Sequence, residues 1–211
     1  MKFCNIIIFI ILLVIPIPAK THVQHYTDLK RIEFDIYRNN KNIGKHIFSF
    51  RKSNEKIFVD SEINFEIKKM GIVLYKYYVK GTEIYENNKL ISFSSKTNQN
   101  KKEKYVNIIS KNQEFVIEGS SFKGNVPDSY VIGTWWNHSI VDADAQISAV
   151  SGRIIKQKVT FLGKKIIKIG NKNYDTLHFN FSSTDSSLKK DKKLNTDVWY
   201  DEKTLNWVKA S

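Results

Sequence analysis

One cysteine, Cys4, is the only thiol in 211 residues, and it lies ahead of an apolar run at the N-terminus. A disulfide framework and a cysteine-ligated zinc site are therefore excluded. Arginine is almost as scarce. Of 34 basic residues only Arg31, Arg38, Arg51 and Arg153 are arginine, which leaves thirty lysines. Bidentate recognition of phosphate or guanine favours the guanidinium fork, whereas lysine is a hydrated point charge. Nucleic acid is thus not an expected partner, despite a formal net charge of +13. No second long apolar run follows the first nineteen residues, and no segment carries a sustained helical stripe. A membrane-spanning helix beyond the N-terminus and an α-helical core both drop out.

The N-terminus reads as an address. Lys2 supplies a positive start, Ile6 to Ile17 is apolar apart from Pro16, and Pro18-Ala19 offers a small residue for cleavage. That layout predicts a secretory signal peptide over residues 1–19, shorter than the roughly 20 residues a span requires. Residues 20–30 are expected to be a flexible N-terminal segment, and residues 31–211 a single domain. After cleavage no stable membrane span is expected, and the chain is exported, periplasmic or secreted. The lysines are spread along the chain, with a dense cluster only at Lys189, Lys190, Lys192 and Lys193. They read mostly as a solvated surface, with weak attraction to anionic envelope surfaces.

Period-two alternation dominates the remainder. Ile57, Val59, Ile63, Phe65 and Ile67 alternate with Asp60, Glu62, Asn64, Glu66 and Lys68. Ile32, Phe34 and Ile36, then Ile155, Val159 and Phe161, then Leu177, Phe179 and Phe181 repeat the pattern. Each is a strand with one wet face. Asn39-Asn40, Met70-Gly71, Asn87-Asn88 and Gly170-Asn171 separate such runs with residues that tolerate positive φ. The expectation is an all-β fold, an antiparallel meander of about ten to twelve strands curled into a barrel or half-barrel. Curling hides strand edges.

One long region, roughly 119–152, breaks the alternation, with a short helix or lid expected within 126–150. Its centre reads Thr134-Trp-Trp-Asn-His-Ser-Ile-Val-Asp-Ala-Asp144. Thr134 is a candidate cap for a helix over Trp135 to Val141, and the tryptophans would plug one end of the barrel. His138 and Asp142 stand one helical turn apart. No HExxH pattern, second nearby histidine, GxSxG elbow or calcium-loop spacing accompanies them, so neither a metal nor a catalytic residue is assigned. The side chains of His138 and Asp142 are expected to face water. Trp199 and Trp207 are expected to pack across a late hairpin.

Several of these stretches carry a resemblance. They are the hairpin from Tyr37 to Ile43-Gly44, the strand Leu74-Tyr-Lys-Tyr-Tyr78, Ser94-Ser-Lys-Thr-Asn98, the Trp135-Trp-Asn137 loop and Val198-Trp-Tyr-Asp201. Together they resemble an uncharacterised family of exported all-β bacterial proteins, domain of unknown function six-one-three-four. The resemblance implies an envelope protein and brings no catalytic residue with it. Similar proteins continue beyond the Trp-Tyr-Asp hairpin by one strand, so an uncovered sheet edge is expected at the end of this chain.

These readings converge on a non-enzymatic envelope protein that binds or shields an apolar or lipid-like ligand, with no cofactor. Trp135, Trp136, Tyr75 and Tyr77 are the expected contacts. A ligand-free structural or protein-interaction module and an enzyme built on residues 135–144 are the alternatives.

Overall fold

A computed structural model describes Tyr26 and residues 29–211. The expected signal peptide and most of the segment 20–30 lie outside the described residues.

The first eight strands form one antiparallel meander in chain order. They are β1 (Arg31–Arg38), β2 (Lys41–Ser53), β3 (Lys56–Lys69), β4 (Ile72–Glu86), β5 (Lys89–Gln99), β6 (Lys102–Lys111), β7 (Glu114–Gly119) and β8 (Lys123–Pro127). Most of the connections are two residues long with positive φ at both positions: Asn39-Asn40, Met70-Gly71, Asn87-Asn88, Asn100-Lys101 and Asn112-Gln113. That backbone matches the right-handed twist of the flanking strands, and asparagine adopts it at little cost. Gly44 has a different reason. A Cβ there would meet the Asn64 carbonyl oxygen at 2.1 Å, so only glycine lets β2 approach β3.

The second sheet has the order β14-β13-β12-β11-β10-β9. Its strands are β9 (Val131–Ile132), β10 (Ala145–Ile147), β11 (Ile154–Ile169), β12 (Lys172–Ser183), β13 (Asn195–Asp201) and β14 (Trp207–Ala210). Pairing is antiparallel except between β9 and β10. Among the described residues there are fourteen strands, more than the expected ten to twelve, because β8, β9 and β10 lie inside 119–152. They are too short to show alternation. The barrel is not closed: β1 and β8 are the edges of the first sheet, while β14 and β9 are those of the second.

The core lies between the sheets. Phe48, Val59, Phe93, Val106 and Ile108 from the first meet Ile147, Phe181, Val198 and Tyr200 from the second. Tyr26 joins them, although it falls in the segment expected to be flexible. It is 1% exposed, packs edge-on to Trp136 at 5.0 Å and donates its hydroxyl to the Leu205 carbonyl at 2.8 Å.

At one end of the first sheet the strands part into separate hairpins. The last β2–β3 pair is Gly44 with Phe65, and the last β4–β5 pair is Tyr77 with Gln99. Beyond these, β3 and β4 continue to Met70-Gly71 paired only with each other. The result is a two-stranded ribbon roughly 15 Å long, beside which β1 and β2 continue past Gly44 as a separate hairpin ending at Asn39-Asn40.

Candidate functional site

The double-tryptophan loop is held from both sheets. Asn137, not Thr134, caps its only regular turn, a 3-10 turn over His138–Asp142, by accepting from the Ser139 N–H. Thr134 is used elsewhere. Its hydroxyl donates to Glu83 at 2.9 Å, and the indole N–H of Trp136 donates to the same carboxylate oxygen at 2.8 Å. The Tyr85 hydroxyl donates to the other oxygen at 2.5 Å. From the second sheet, Gln157 on β11 donates to the carbonyls of Ile140 and Ala143 and accepts from Gln146. Tyr200 on β13 donates to the Trp135 carbonyl at 2.9 Å.

Glu83 is wholly buried, and no ion pair among the described residues reaches it. Burial raises its pKa above the usual carboxylate value, while the three donors pull the other way. The Tyr85 hydroxyl is pushed far up, by burial first and the adjacent carboxylate second. The carboxylate is sealed, so its chemical role is to satisfy three inward-pointing donors that would otherwise be stranded in the core.

Trp136 is 0% exposed and meets Tyr26, Phe50 and Tyr85 edge-on at 5.0–5.6 Å. It fills the space between the sheets as part of the core cluster, whereas the expectation is a plug at one end of a barrel. Trp135 is half-buried, has φ of +60° and lies edge-on to Trp207 at 5.9 Å. The left-handed backbone turns the two indoles into different parts of the same aromatic core.

Other expectations for the loop change. His138 does not face water. Its ring is buried against Tyr200 at 4.7 Å and Phe179 at 5.9 Å, whereas Asp142 and Asp144 are exposed. The helical spacing that would have put His138 and Asp142 on one face does not arise in a 3-10 turn. Among the described residues, no group of three His, Cys, Asp or Glu side chains is placed to hold a metal.

Trp199 and Trp207 do not pack on one another either. A register shift separates them, so Trp207 pairs with Tyr200 and Trp199 with Lys209. Trp207 turns inward onto Phe34 at 4.2 Å, and Trp199 outward to stack on His178 at 4.2 Å with Lys209 above it at 4.8 Å.

Tyr75 and Tyr77 sit elsewhere. Tyr77 and Tyr85, which touches Trp136, are eight residues apart on β4, roughly 26 Å of strand. The two tyrosines flank Phe65 on β3, with ring centroids 6.0 and 4.9 Å away. With the half-buried Ile63 and Ile67 they make an apolar patch on the inner face of the first sheet, separate from the core cluster. Burial and the neighbouring Tyr75 raise the Tyr77 hydroxyl to about 12. The four expected contact residues therefore divide into a core pair and a patch pair. A cleft of about 370 Å³ is bordered by Tyr85, Leu90, Phe115, Tyr130 and Asn137.

Fold and geometry define an all-β protein of two facing sheets with an uncovered apolar extension. The chain belongs to the family described as a domain of unknown function, DUF6134, whose model matches residues 34–211. No curated protein matches the chain, and no solved structure does.

Proposed function

We propose that this is an exported, non-enzymatic protein of the cell envelope that binds an apolar or lipid-like ligand on the inner face of β3 and β4. The observation that carries the reading is the patch of Ile63, Phe65, Ile67, Tyr75 and Tyr77, which stands outside the packed core. A contiguous, half-buried apolar surface outside the core cluster suits an apolar occupant. Rigid aromatic rings lose little entropy on contact, and the tyrosine hydroxyls give the patch a polar margin. Trp136 is no part of this surface, since its ring is enclosed by Tyr26, Phe50 and Tyr85 in the core.

A fluorescent fatty acid titrated into the full chain tests the proposal. Saturable binding at one site is expected, weakened about tenfold by Tyr77→Ser through loss of aromatic contact area. Binding that never saturates, or that Tyr77→Ser leaves unchanged, would remove the patch from the account.

A further inference from the structure

The antiparallel meander places alternate connections of the first sheet at opposite ends. At one end lie Asn39-Asn40, Met70-Gly71, Asn100-Lys101 and Ser120–Phe122; at the other lie Asn54-Glu55, Asn87-Asn88 and Asn112-Gln113. Counting these turns and two residues on either side, the first end carries seven cations (Arg38, Lys41, Lys68, Lys69, Lys101, Lys102, Lys123) against Glu103 and Glu118. The second carries Lys52, Lys56, Lys89 and Lys111 against Glu55, Glu86 and Glu114. A surplus of five faces a surplus of one. The basic charge of this sheet is concentrated at the end where the β3–β4 ribbon lies.

The tip of that ribbon is apolar. Met70 is 93% exposed, Ile72 66%, Leu74 53% and Val73 39%. Consecutive strand residues point to opposite faces, so Ile72 and Val73 give the tip apolar side chains on both sides. A groove on a folded protein covers one face of a ribbon and leaves the other in water. A lipid interface surrounds both. Behind the tip stand Lys68, Lys69 and Lys76, and the single Glu66 pairs with both Lys68 at 3.0 Å and Lys76 at 2.8 Å. Cations set just behind an apolar tip match the headgroup layer of an anionic membrane.

We infer that the β3–β4 ribbon docks this protein on an anionic lipid bilayer, Met70, Ile72, Val73 and Leu74 entering the interface while Lys68 and Lys69 meet the headgroups. This goes beyond the ligand reading and does not depend on it: vesicle binding reports on the tip, and the fatty-acid probe on the patch.

The test is sedimentation of the full chain with vesicles of equal parts phosphatidylglycerol and phosphatidylcholine, against phosphatidylcholine alone, every variant sharing the wild-type N-terminus. Wild type is expected to bind the anionic vesicles in a salt-sensitive way and the neutral ones weakly. Lys68→Glu with Lys69→Glu should weaken that binding about tenfold or more, and Ile72→Ser with Leu74→Ser should also weaken it. Lys52→Glu with Lys111→Glu, at the opposite end with the same change in net charge, should stay within about twofold of wild type, since screened charges that far away contribute little. Equal loss in both charge variants would reduce the effect to net charge and overturn the inference. So would equal binding to neutral vesicles. Failure to bind vesicles, with salt-sensitive retention on immobilised polyglutamate that only the ribbon variant loses, would assign the ribbon to an acidic protein instead.

Discussion

Trp136 donates its indole N–H across 2.8 Å to Glu83, joining the loop after β9 to the central strand β4 of the opposite sheet. Both groups are fully buried, and Thr134 and Tyr85 complete the carboxylate's partners. The sheets are therefore registered by a polar contact inside an aromatic core.

Removing the carboxylate should be costly. Glu83→Ala strands three buried donors and is expected to lower stability by about 3–5 kcal/mol. Glu83→Gln keeps an acceptor for Trp136 and Thr134 and lets its amide donate to the Tyr85 oxygen, so chemical denaturation should show a much smaller loss. The pH dependence has a definite sign. A carboxyl raised above its ordinary 4.5 by burial favours the folded state most when protonated. The stability of wild type relative to Glu83→Gln should accordingly rise as pH is lowered toward 4.5 and decline as it is raised.

Within the loop, burial sorts the substitutions. Trp136→Ala should cost about 4 kcal/mol in a denaturant melt, since it empties a fully buried indole site. His138→Ala should cost about 1–2 kcal/mol because the ring packs on Tyr200 and Phe179. Asp142→Ala, at an exposed site, should fall within about 0.5 kcal/mol of wild type.

His46 gives an acid-sensitive signature. Its ring lies among Phe34, Phe48 and Trp207, and burial lowers its pKa from 6.5 to about 4. The neutral ring is the one the fold accepts, so its contribution is complete above pH 6.5 and is lost as pH falls toward about 4. Hydrogen bonds and ion pairs with Lys45 and Arg31 lower the Glu33 carboxyl from its ordinary value, a shift opposite in cause to the burial that acts on His46. Ring resonances followed by NMR should show His46 titrating near 4, and His46→Phe should flatten the stability curve between 6.5 and 4.

How much of this was legible in the sequence depended on strand length. Long wet-faced strands such as Ile57 to Ile67 announced themselves by alternation, and the asparagine pairs marked the tight turns. Strands of two, three and five residues at β9, β10 and β8 carry too few positions to alternate, so they disappeared into the 119–152 region. Glu83 did leave a signal: Val79, Gly81, Glu83 and Tyr85 share one parity on β4, and an acid on a dry face needs partners. Two of its three partners lie 51 and 53 residues along the chain, a separation no local pattern encodes. The bulge that sends Trp199 outward and Trp207 inward was equally hidden, because one inserted residue reverses every face after it.

Close approach of backbones gives a further test. Gly44→Ala sets a methyl 2.1 Å from the Asn64 carbonyl and 2.5 Å from the Phe65 Cβ, and β2 must move away from β3. A loss of about 2 kcal/mol or more is expected. Hydrogen exchange should accelerate first at the neighbouring β2–β3 pairs, Lys45 with Asn64 and His46 with Ile63.

Native mass spectrometry of the protein as isolated from its own cells addresses the ligand claim most directly. Wild type should carry an apolar species in one-to-one stoichiometry, and a Tyr75→Ser, Tyr77→Ser variant that melts as wild type does should be free of it. A ligand-free wild-type mass, or an adduct retained by the folded double variant, would contradict the assignment of the β3–β4 face as a binding surface.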